Sequence, residues 1–249
     1  MSLPADLVGL NDTRQPIAVP TPPAARDVAK APRPSTFVRT GATQAPMRLW
    51  YERSKRAVDI VLAVSALVAL SPLLVGVALL IKLADFGPVC FAQTRVGRGG
   101  RHFRCYKFRS MVPNAEAMKE QVKDMNHHGD GVTFKIPRDP RLTRIGRLLR
   151  KTSIDELPQL WNVLRGEMSI VGPRPPVPSE VAQYSLRHLR RLEVVPGLTC
   201  IWQVSGRSDV AFERQVEMDL YYVDNRGLWL DLKLIALTIP AVISAKGAY

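Results

Sequence analysis

The residues best equipped for chemistry lie in one stretch, KTSIDELPQLWNVLRGEMSIVGPRP, residues 151–175. Two adjacent carboxylates, Asp155 and Glu156, open a predicted helix in a strongly basic neighbourhood. Such a pair can divide labour: one carboxylate attacks phosphorus and carries an acyl phosphate, while the other holds a divalent cation. The cation neutralises phosphate charge that would repel an anionic nucleophile, and a helix N-terminus adds partial positive charge for the phosphoryl oxygens. Shortly after comes Gly172-Pro173-Arg174-Pro175, a stiff turn whose prolines fix the backbone around one guanidinium. Arginine suits bidentate phosphate contacts, and a rigid turn lowers the cost of ordering it. A purely structural reading stands beside this one. Ser153-Ile154-Asp155-Glu156 has the letters of a capping box. Pro158 is tolerated only in a first helical turn, which makes Asp155 the N-cap, a role worth about 1 kcal/mol.

These groups need elements to position them. Upstream, RDPRLTRIGRLLRK (138–151) places Leu142, Ile145, Leu148 and Leu149 on one helical face, with Arg141, Arg144, Arg147, Arg150 and Lys151 on the rest. This predicts a basic amphipathic helix for a membrane interface, a phosphate-bearing ligand, or an ordinary core. PVCFAQTRVGRGGRHFRCYKFRS (88–110) predicts two short strands joined at Gly97–Gly100. Residues 111–130 read as a polar helix followed by a loop, and His127 and His128 read as solvent residues rather than a metal site. The stretch 228–243, LWLDLKLIALTIPAVI, is apolar but interrupted by Asp231, Lys233 and Pro240. It is expected to pack on the domain at the membrane surface rather than form a second span.

Ile60 to Ile81 is almost wholly apolar, and as one helix it would be ~33 Å long, enough for a ~30 Å hydrocarbon core. Two features oppose a straight span. Ser71-Pro72 breaks the middle, and basic residues flank both ends, where the positive-inside rule wants cytoplasm. A re-entrant hairpin satisfies both; a kinked span and a buried core helix are the alternatives. At its start, Lys55 and Asp59 lie one turn apart and could pair there. Before it, residues 1–46 are rich in proline and alanine and read as a solvated tail, without the apolar stretch of a signal peptide.

The net charge of +13 over 249 residues points to phosphate-bearing partners: nucleic acid, anionic lipid or a phosphorylated substrate. Three cysteines, Cys90, Cys105 and Cys200, show no metal or redox spacing and read as reduced thiols.

Taken together, the segments from Lys55 to Tyr249 resemble the bacterial sugar transferase family, the monotopic phosphoglycosyl transferases. The matching residues are KRAVDIVLA (55–63), the Ser71-Pro72 break, KFRSM (107–111), residues 139–175, PGLTCIWQVSGRSD (196–209) and the closing AKGAY. The sequence is most similar to exopolysaccharide-initiating members, which pass galactose-phosphate or glucose-phosphate to undecaprenyl phosphate. One departure is Cys200, where members commonly carry glycine.

The resemblance implies a mixed α/β fold: a small cytoplasmic catalytic domain (87–249), an N-terminal re-entrant membrane helix hairpin (47–86) and interfacial amphipathic helices, behind the tail (1–46). It implies that Asp155 attacks the sugar-bearing phosphorus of a UDP-hexose, expelling UMP, and that Glu156 ligates Mg²⁺. Undecaprenyl phosphate would then take the sugar-phosphate from Asp155. Arg174, between Pro173 and Pro175, would contact phosphate, with Lys107, Arg109, Arg147 or Arg150 as further cations, and Gln203 and Arg207 would read the donor. Membrane lipids and downstream glycosyltransferases are the implied partners, at the cytoplasmic face of a bacterial inner membrane, with no nucleic acid. Three other readings compete: a nucleotide-sugar hydrolase, a single-step transfer in which Asp155 only activates or positions, and a basic binding protein for membrane or nucleic acid without catalysis. The last leaves Asp155-Glu156 unexplained, because carboxylates weaken phosphate binding unless a metal intervenes.

Overall fold

A computed structural model describes residues 45–118, 136, 139–207 and 210–244. The tail before Ala45, His127 and His128, Ser208-Asp209 and residues 245–249 lie outside the described residues.

The apolar segment forms two helices, α1 (Ala45–Ala69) and α2 (Ser71–Asp85). Counted from Leu49, the pair is bent by 61°. Pro72 stands in the first turn of α2, where its missing N–H costs no helical bond, and Ser71 Oγ donates to Val68 O at 2.8 Å across the break. Among the described residues no single helix is long and apolar enough to cross a membrane, whereas the bent pair passes by length and composition.

One side of this hairpin packs on the rest of the chain. Ala63 of α1 meets Phe103, Leu160 and Val163, while Val77 and Ile81 of α2 meet Phe108 and Leu149. The other side leaves Val61, Val64, Val68, Leu73, Val75, Leu79, Leu80 and Leu83 exposed.

The pair that the spacing of Lys55 and Asp59 allows does not form. Both residues face the domain, and each finds a stronger buried partner there. Lys55 Nζ bonds Asp231 Oδ2 at 3.0 Å on α9 (Leu228–Ser244). Asp59 Oδ1 accepts from the Ile170 backbone N–H at 3.0 Å. Between them, Arg56 donates to Val163 O (2.5 Å) and Leu164 O (2.7 Å) at the end of α4 (Gln159–Arg165), where a helix presents unpaired carbonyls and negative dipole charge. Tyr51 and Tyr222 complete the Asp231 site with bonds of 2.9 and 2.8 Å.

The hairpin at 88–110 is confirmed as antiparallel β1 (Cys90–Val96) and β2 (His102–Phe108), with Cys90 opposite Phe108 and Val96 opposite His102. Its turn runs through Gly99 and Gly100, both at positive φ, which glycine adopts without a Cβ clash. After it, residues 113–118 turn rather than form the expected polar helix, and 119–135 lie outside the described residues.

The basic helix is shorter than its pattern suggested. Only α3 (Arg144–Lys151) is helical, capped by Thr143 Oγ1, which accepts from the Gly146 N–H at 2.8 Å. Pro140 precedes it in a turn held by a buried Asp139–Arg141 ion pair of 2.7 Å. The apolar stripe therefore splits: Leu142 bridges to Met111, Leu149 is buried against α2 and β2, and Leu148 remains exposed. A Cβ on Gly146 would lie 1.9 Å from Ser110 O, so only glycine allows α3 this close to the end of KFRS.

A second sheet joins β3 (Ser169–Val171) in parallel to β4 (Gly197–Thr199), Ser169 opposite Gly197 and Val171 opposite Thr199. Two short helices, α5 (Pro178–Val181) and α6 (Leu186–Leu189), connect them. After β4 come α7 (Ile201–Ser205), α8 (Phe212–Asn225) and α9. Val171, Ile201, Trp202, Met218, Tyr222, Val223 and Leu234 form the core they share. The C-terminal stretch thus packs on the domain as expected, with Asp231 and Leu234 inward and Trp229, Leu232, Ile239 and Ile243 outward. Cys200 sits at φ −149°, ψ 172°, an extended conformation open to any residue, so the departure from glycine distorts nothing.

Candidate active site

Asp155 does not cap a helix. It lies inside a 3₁₀ turn, Ile154–Glu156, and α4 begins only at Gln159 with Pro158 in the preceding position. Ser153 enters the turn in the left-handed region, φ 57°, ψ 14°, a conformation that costs an L-residue roughly 1–2 kcal/mol. The capping-box letters form no side-chain cap there. Asp155 is instead buried, 5% exposed, in the wall of a cavity of about 1310 Å³.

Glu156 is held by two cations on the same oxygen. Lys107 Nζ, from β2, lies 2.6 Å from Oε1, and Arg174 Nη2 lies 3.0 Å from it. Burial alone would raise the Glu156 carboxyl, but Arg174 and Lys107 outweigh it and hold it below the ordinary carboxylate range. Asp155 moves the other way. Burial pushes its carboxyl up from 3.8, and the Glu156 charge adds to this, while Lys107 opposes. The dyad therefore pairs one acid that stays ionised with one whose charge depends on its surroundings.

Arg174 owes its position to the turn that carries it. Gly172 N donates to Thr199 O at 3.0 Å, and Gly197 N to Pro173 O at 2.9 Å. A Cβ on Gly172 would lie 2.5 Å from Val195 O, so the turn is pressed against β4. Pro173 is fully buried behind it, and Pro175 faces the cavity.

The other sequence-predicted residues divide. Lys107, Arg150, Gln203 and Arg207 line the cavity with the dyad. Arg150 Nε donates to Ser110 Oγ at 3.1 Å. Arg109 also lines it, but its guanidinium is engaged by Asp85 at the end of α2, so it ties the hairpin to β2. Arg147 is exposed on the outer face of α3 and is not among the lining residues. Arg95, on β1, belongs to none of the motifs that pointed to the site, yet it lines the cavity and bonds Pro175 O at 2.8 Å. Its distance from any motif hid it; the strand alternation that puts residues 93 and 95 on one face was the available signal. Apolar side chains line the same cavity, among them Leu70 and Leu73 at the helix break and Ile235, Ile239 and Ile243 from α9.

Among the described residues no group of three or more His, Cys, Asp or Glu could hold a metal by itself. The dyad fits a looser mode. Magnesium commonly takes one or two carboxylates and completes its shell with water and substrate phosphate. Both ion pairs of Glu156 fall on Oε1, and no hydrogen bond to Oε2 occurs among the described residues.

Residues 50–245 match the family described as bacterial sugar transferase. The chain is 44% identical to the exopolysaccharide production protein ExoY of Sinorhizobium fredii over 199 residues, covering 79% of this chain and 88% of that protein. It is 43% identical to the undecaprenyl-phosphate galactose phosphotransferase of Salmonella typhimurium, over 78% of this chain and 41% of that protein. It is 42% identical to the undecaprenyl-phosphate glucose phosphotransferase of Komagataeibacter xylinus, over 86% of this chain and 40% of that protein. The chain thus spans less than half of these two phosphotransferases. The family match covers both helices of the hairpin, the dyad, the Pro-Arg-Pro turn and α9, and the chain belongs to the bacterial sugar transferase family.

Proposed function

We propose that this protein transfers hexose-1-phosphate from a UDP-sugar to undecaprenyl phosphate, releasing UMP, as the first membrane step of exopolysaccharide or related glycoconjugate synthesis. The observation that carries the reading is one cavity with two chemistries. Its lining brings together the Asp155-Glu156 dyad, with Lys107 and Arg174 paired to Glu156, and apolar side chains from the hairpin and α9. A soluble phosphate donor and a lipid-borne phosphate acceptor both find matching surface there.

In this mechanism an Asp155 carboxylate oxygen attacks the sugar-bearing phosphorus, and the bond from that phosphorus to the bridging oxygen breaks. UMP leaves with the electron pair, and the sugar-phosphate remains on Asp155 as an acyl phosphate. A phosphate oxygen of the lipid then attacks the same phosphorus and frees the carboxylate. Arg174 and Lys107 hold phosphate charge through both steps. Mg²⁺, when bound, would be held by Glu156 together with substrate phosphate, and would neutralise charge on the transferring group.

The hairpin is read as re-entrant, with both ends at the cytoplasmic face of a bacterial inner membrane. The exposed apolar side of α1 and α2 is far larger than scattered surface leucines would give, and exposed Trp50 and Trp229 suit headgroup depth. The tail (1–46), hairpin (47–86) and catalytic domain (87–249) are the working divisions.

The test is reconstitution with undecaprenyl phosphate and Mg²⁺, measuring UMP release across a panel of UDP-hexoses. Release that requires lipid, metal and Asp155 supports the reading and names the sugar. Release without lipid identifies a hydrolase. Mass spectrometry of enzyme with donor alone should find sugar-phosphate on Asp155; its absence during active turnover rejects the two-step path. Cysteines placed just before Lys55 and just after Lys82 should both label only from the cytoplasmic side, and labelling of one from outside rejects the re-entrant hairpin.

A further inference from the structure

The short helix α7 begins immediately after the strand that holds the Pro-Arg-Pro turn. Thr199, the last residue of β4, accepts from the Gly172 N–H at 3.0 Å. Cys200 follows as the residue ahead of α7, and Ile201 and Trp202 sink into the core, which fixes the backbone on which Gln203 stands. Gln203 lines the cavity with the dyad. The Cys200 thiol is not part of that lining; it is buried, and its Sγ donates to Gln203 Oε1 at 3.1 Å.

This contact decides which way the carboxamide faces. Burial pushes the Cys200 thiol well above its ordinary range, so it stays protonated and acts as a donor. The amide oxygen is the better partner for an S–H, because the flipped amide would offer N–H to sulfur, a weak acceptor. With Oε1 turned to the thiol, Nε2 is the free end of the amide. It makes no hydrogen bond among the described residues, and it is not sealed: the buried nitrogens left without a partner are Arg95 Nε, Arg109 Nη1 and Trp202 Nε1. The N–H donors of Gln203 are therefore accessible on a residue that lines the cavity.

The thiol gains little from the contact, since a buried cysteine behaves as a small apolar side chain and needs no partner. Gln203 gains more. A glutamine side chain has many rotamers, and one that is held before its ligand arrives loses less freedom on binding. A neutral amide donor suits a neutral acceptor oxygen, whereas the cations Lys107 and Arg174 suit phosphate.

We propose that Cys200 is a positioning residue for the donor: its thiol holds the Gln203 carboxamide with Nε2 toward the cavity, where it donates to a neutral carbonyl or hydroxyl oxygen of the nucleotide-sugar. This rests on the reading of the cavity as a UDP-sugar site.

Initial rates of UMP release by the full chain, with undecaprenyl phosphate, Mg²⁺ and each accepted UDP-hexose, give the donor KM. Cys200→Ala removes the thiol at a backbone conformation that any residue adopts. It should raise the donor KM by about three- to tenfold, the size of one hydrogen bond, and leave the KM for lipid near that of wild type. Cys200→Ser, whose hydroxyl donates from the same place, should restore the donor KM. Gln203→Met removes the amide without touching the thiol and should raise the donor KM at least as far; adding Cys200→Ala to it should change nothing more. Inhibition by UMP assigns the oxygen: weakened in parallel, it lies on the nucleoside; unchanged, it lies on the hexose. An unchanged donor KM in Cys200→Ala or in Gln203→Met overturns the proposal. So does a serine variant as impaired as the alanine one, or an alanine loss that persists in full beside Gln203→Met, since either means that Cys200 acts by packing alone. A raised KM for lipid with the donor KM intact assigns Gln203 to the acceptor and rejects the donor role. Wild-type protein that releases no UMP from any UDP-hexose fails the transferase reading; calorimetry with the same unreacted UDP-hexoses then reads the same order of variants as affinities, and a wild type that binds none of them fails both.

Discussion

The hairpin root and the dyad cavity are both built from buried charge, but they are balanced differently. At the root each ionic group has a partner that satisfies it: Lys55 has Asp231, Arg56 has the last carbonyls of α4, and Asp59 has the Ile170 N–H. In the cavity two cations share a single oxygen of Glu156, Arg95 Nε has no hydrogen bond among the described residues, and Asp155 is buried beside another carboxylate. The root spends its charges on holding elements together. The cavity leaves charge unsettled, and unsettled buried charge is what a phosphorylated substrate can settle.

The largest effect that tests this contrast is at Asp155. Asp155→Asn should lower UMP release by ~10³-fold or more, as expected for loss of a nucleophile. It should also raise the melting temperature at neutral pH. The sign follows from the raised carboxyl: where the folded pKa exceeds the unfolded one, the ionised group destabilises the fold at pH above both, and asparagine removes that penalty. The gain should vanish at pH below the unfolded carboxyl range. Near-normal activity in this variant would reduce Asp155 to a structural residue.

Next in size is the root. Asp231→Leu strands Lys55, Tyr51 and Tyr222 and should cost about 3–5 kcal/mol, seen as a lower melting temperature. Replacing Lys55 by Met in the same chain should recover much of it. The acid limb of activity in the folded fraction should not move, because none of these groups faces the dyad. A displaced limb would show that root and cavity are not separable.

Lys107→Met tests the cavity by the opposite signature. If Asp155 is the nucleophile it must be ionised to attack, and Lys107 is the cation that most opposes the upward push of burial. Without it the Asp155 carboxyl rises further, so activity on the acid limb should fall by roughly tenfold for each pH unit that the carboxyl climbs. The loss should therefore be greater at pH 6 than at pH 8. A loss that is equal at all pH values would mean that Lys107 acts on substrate alone.

The same contrast explains what was legible in the sequence. The helix break and the glycine-turn hairpin are written in local spacing, and each formed where expected. The partner of Lys55 was not legible because the i,i+4 rule sees only its own helix, whereas Asp231 lies far along the chain. The Arg-rich helix shrank because Pro140 and the Asp139–Arg141 pair favour a turn that periodicity overlooks. Asp155 looked like a cap because Pro158 does mark a helix start, but Ser153 turns left-handed and delivers the dyad in a 3₁₀ turn ahead of that start. Arg95 stayed hidden because its importance comes from a carbonyl 80 residues away.

Backbone strain divides along the same line. Three non-glycine residues among those described have positive φ: Phe86, Ser153 and Arg207. Phe86 ends the hairpin, while Ser153 and Arg207 both line the cavity, so the strain sits where charge is unsettled and not at the root. Ser153→Gly relieves the left-handed cost but adds flexibility worth about 0.5–1 kcal/mol in the unfolded chain, so stability should change by under about 1 kcal/mol. If the strained turn holds Asp155 ready to attack, kcat should still fall a few-fold with donor KM unchanged, because the variant binds substrate normally but no longer fixes the nucleophile. Unchanged kcat in that variant would make the left-handed turn a matter of chain geometry alone.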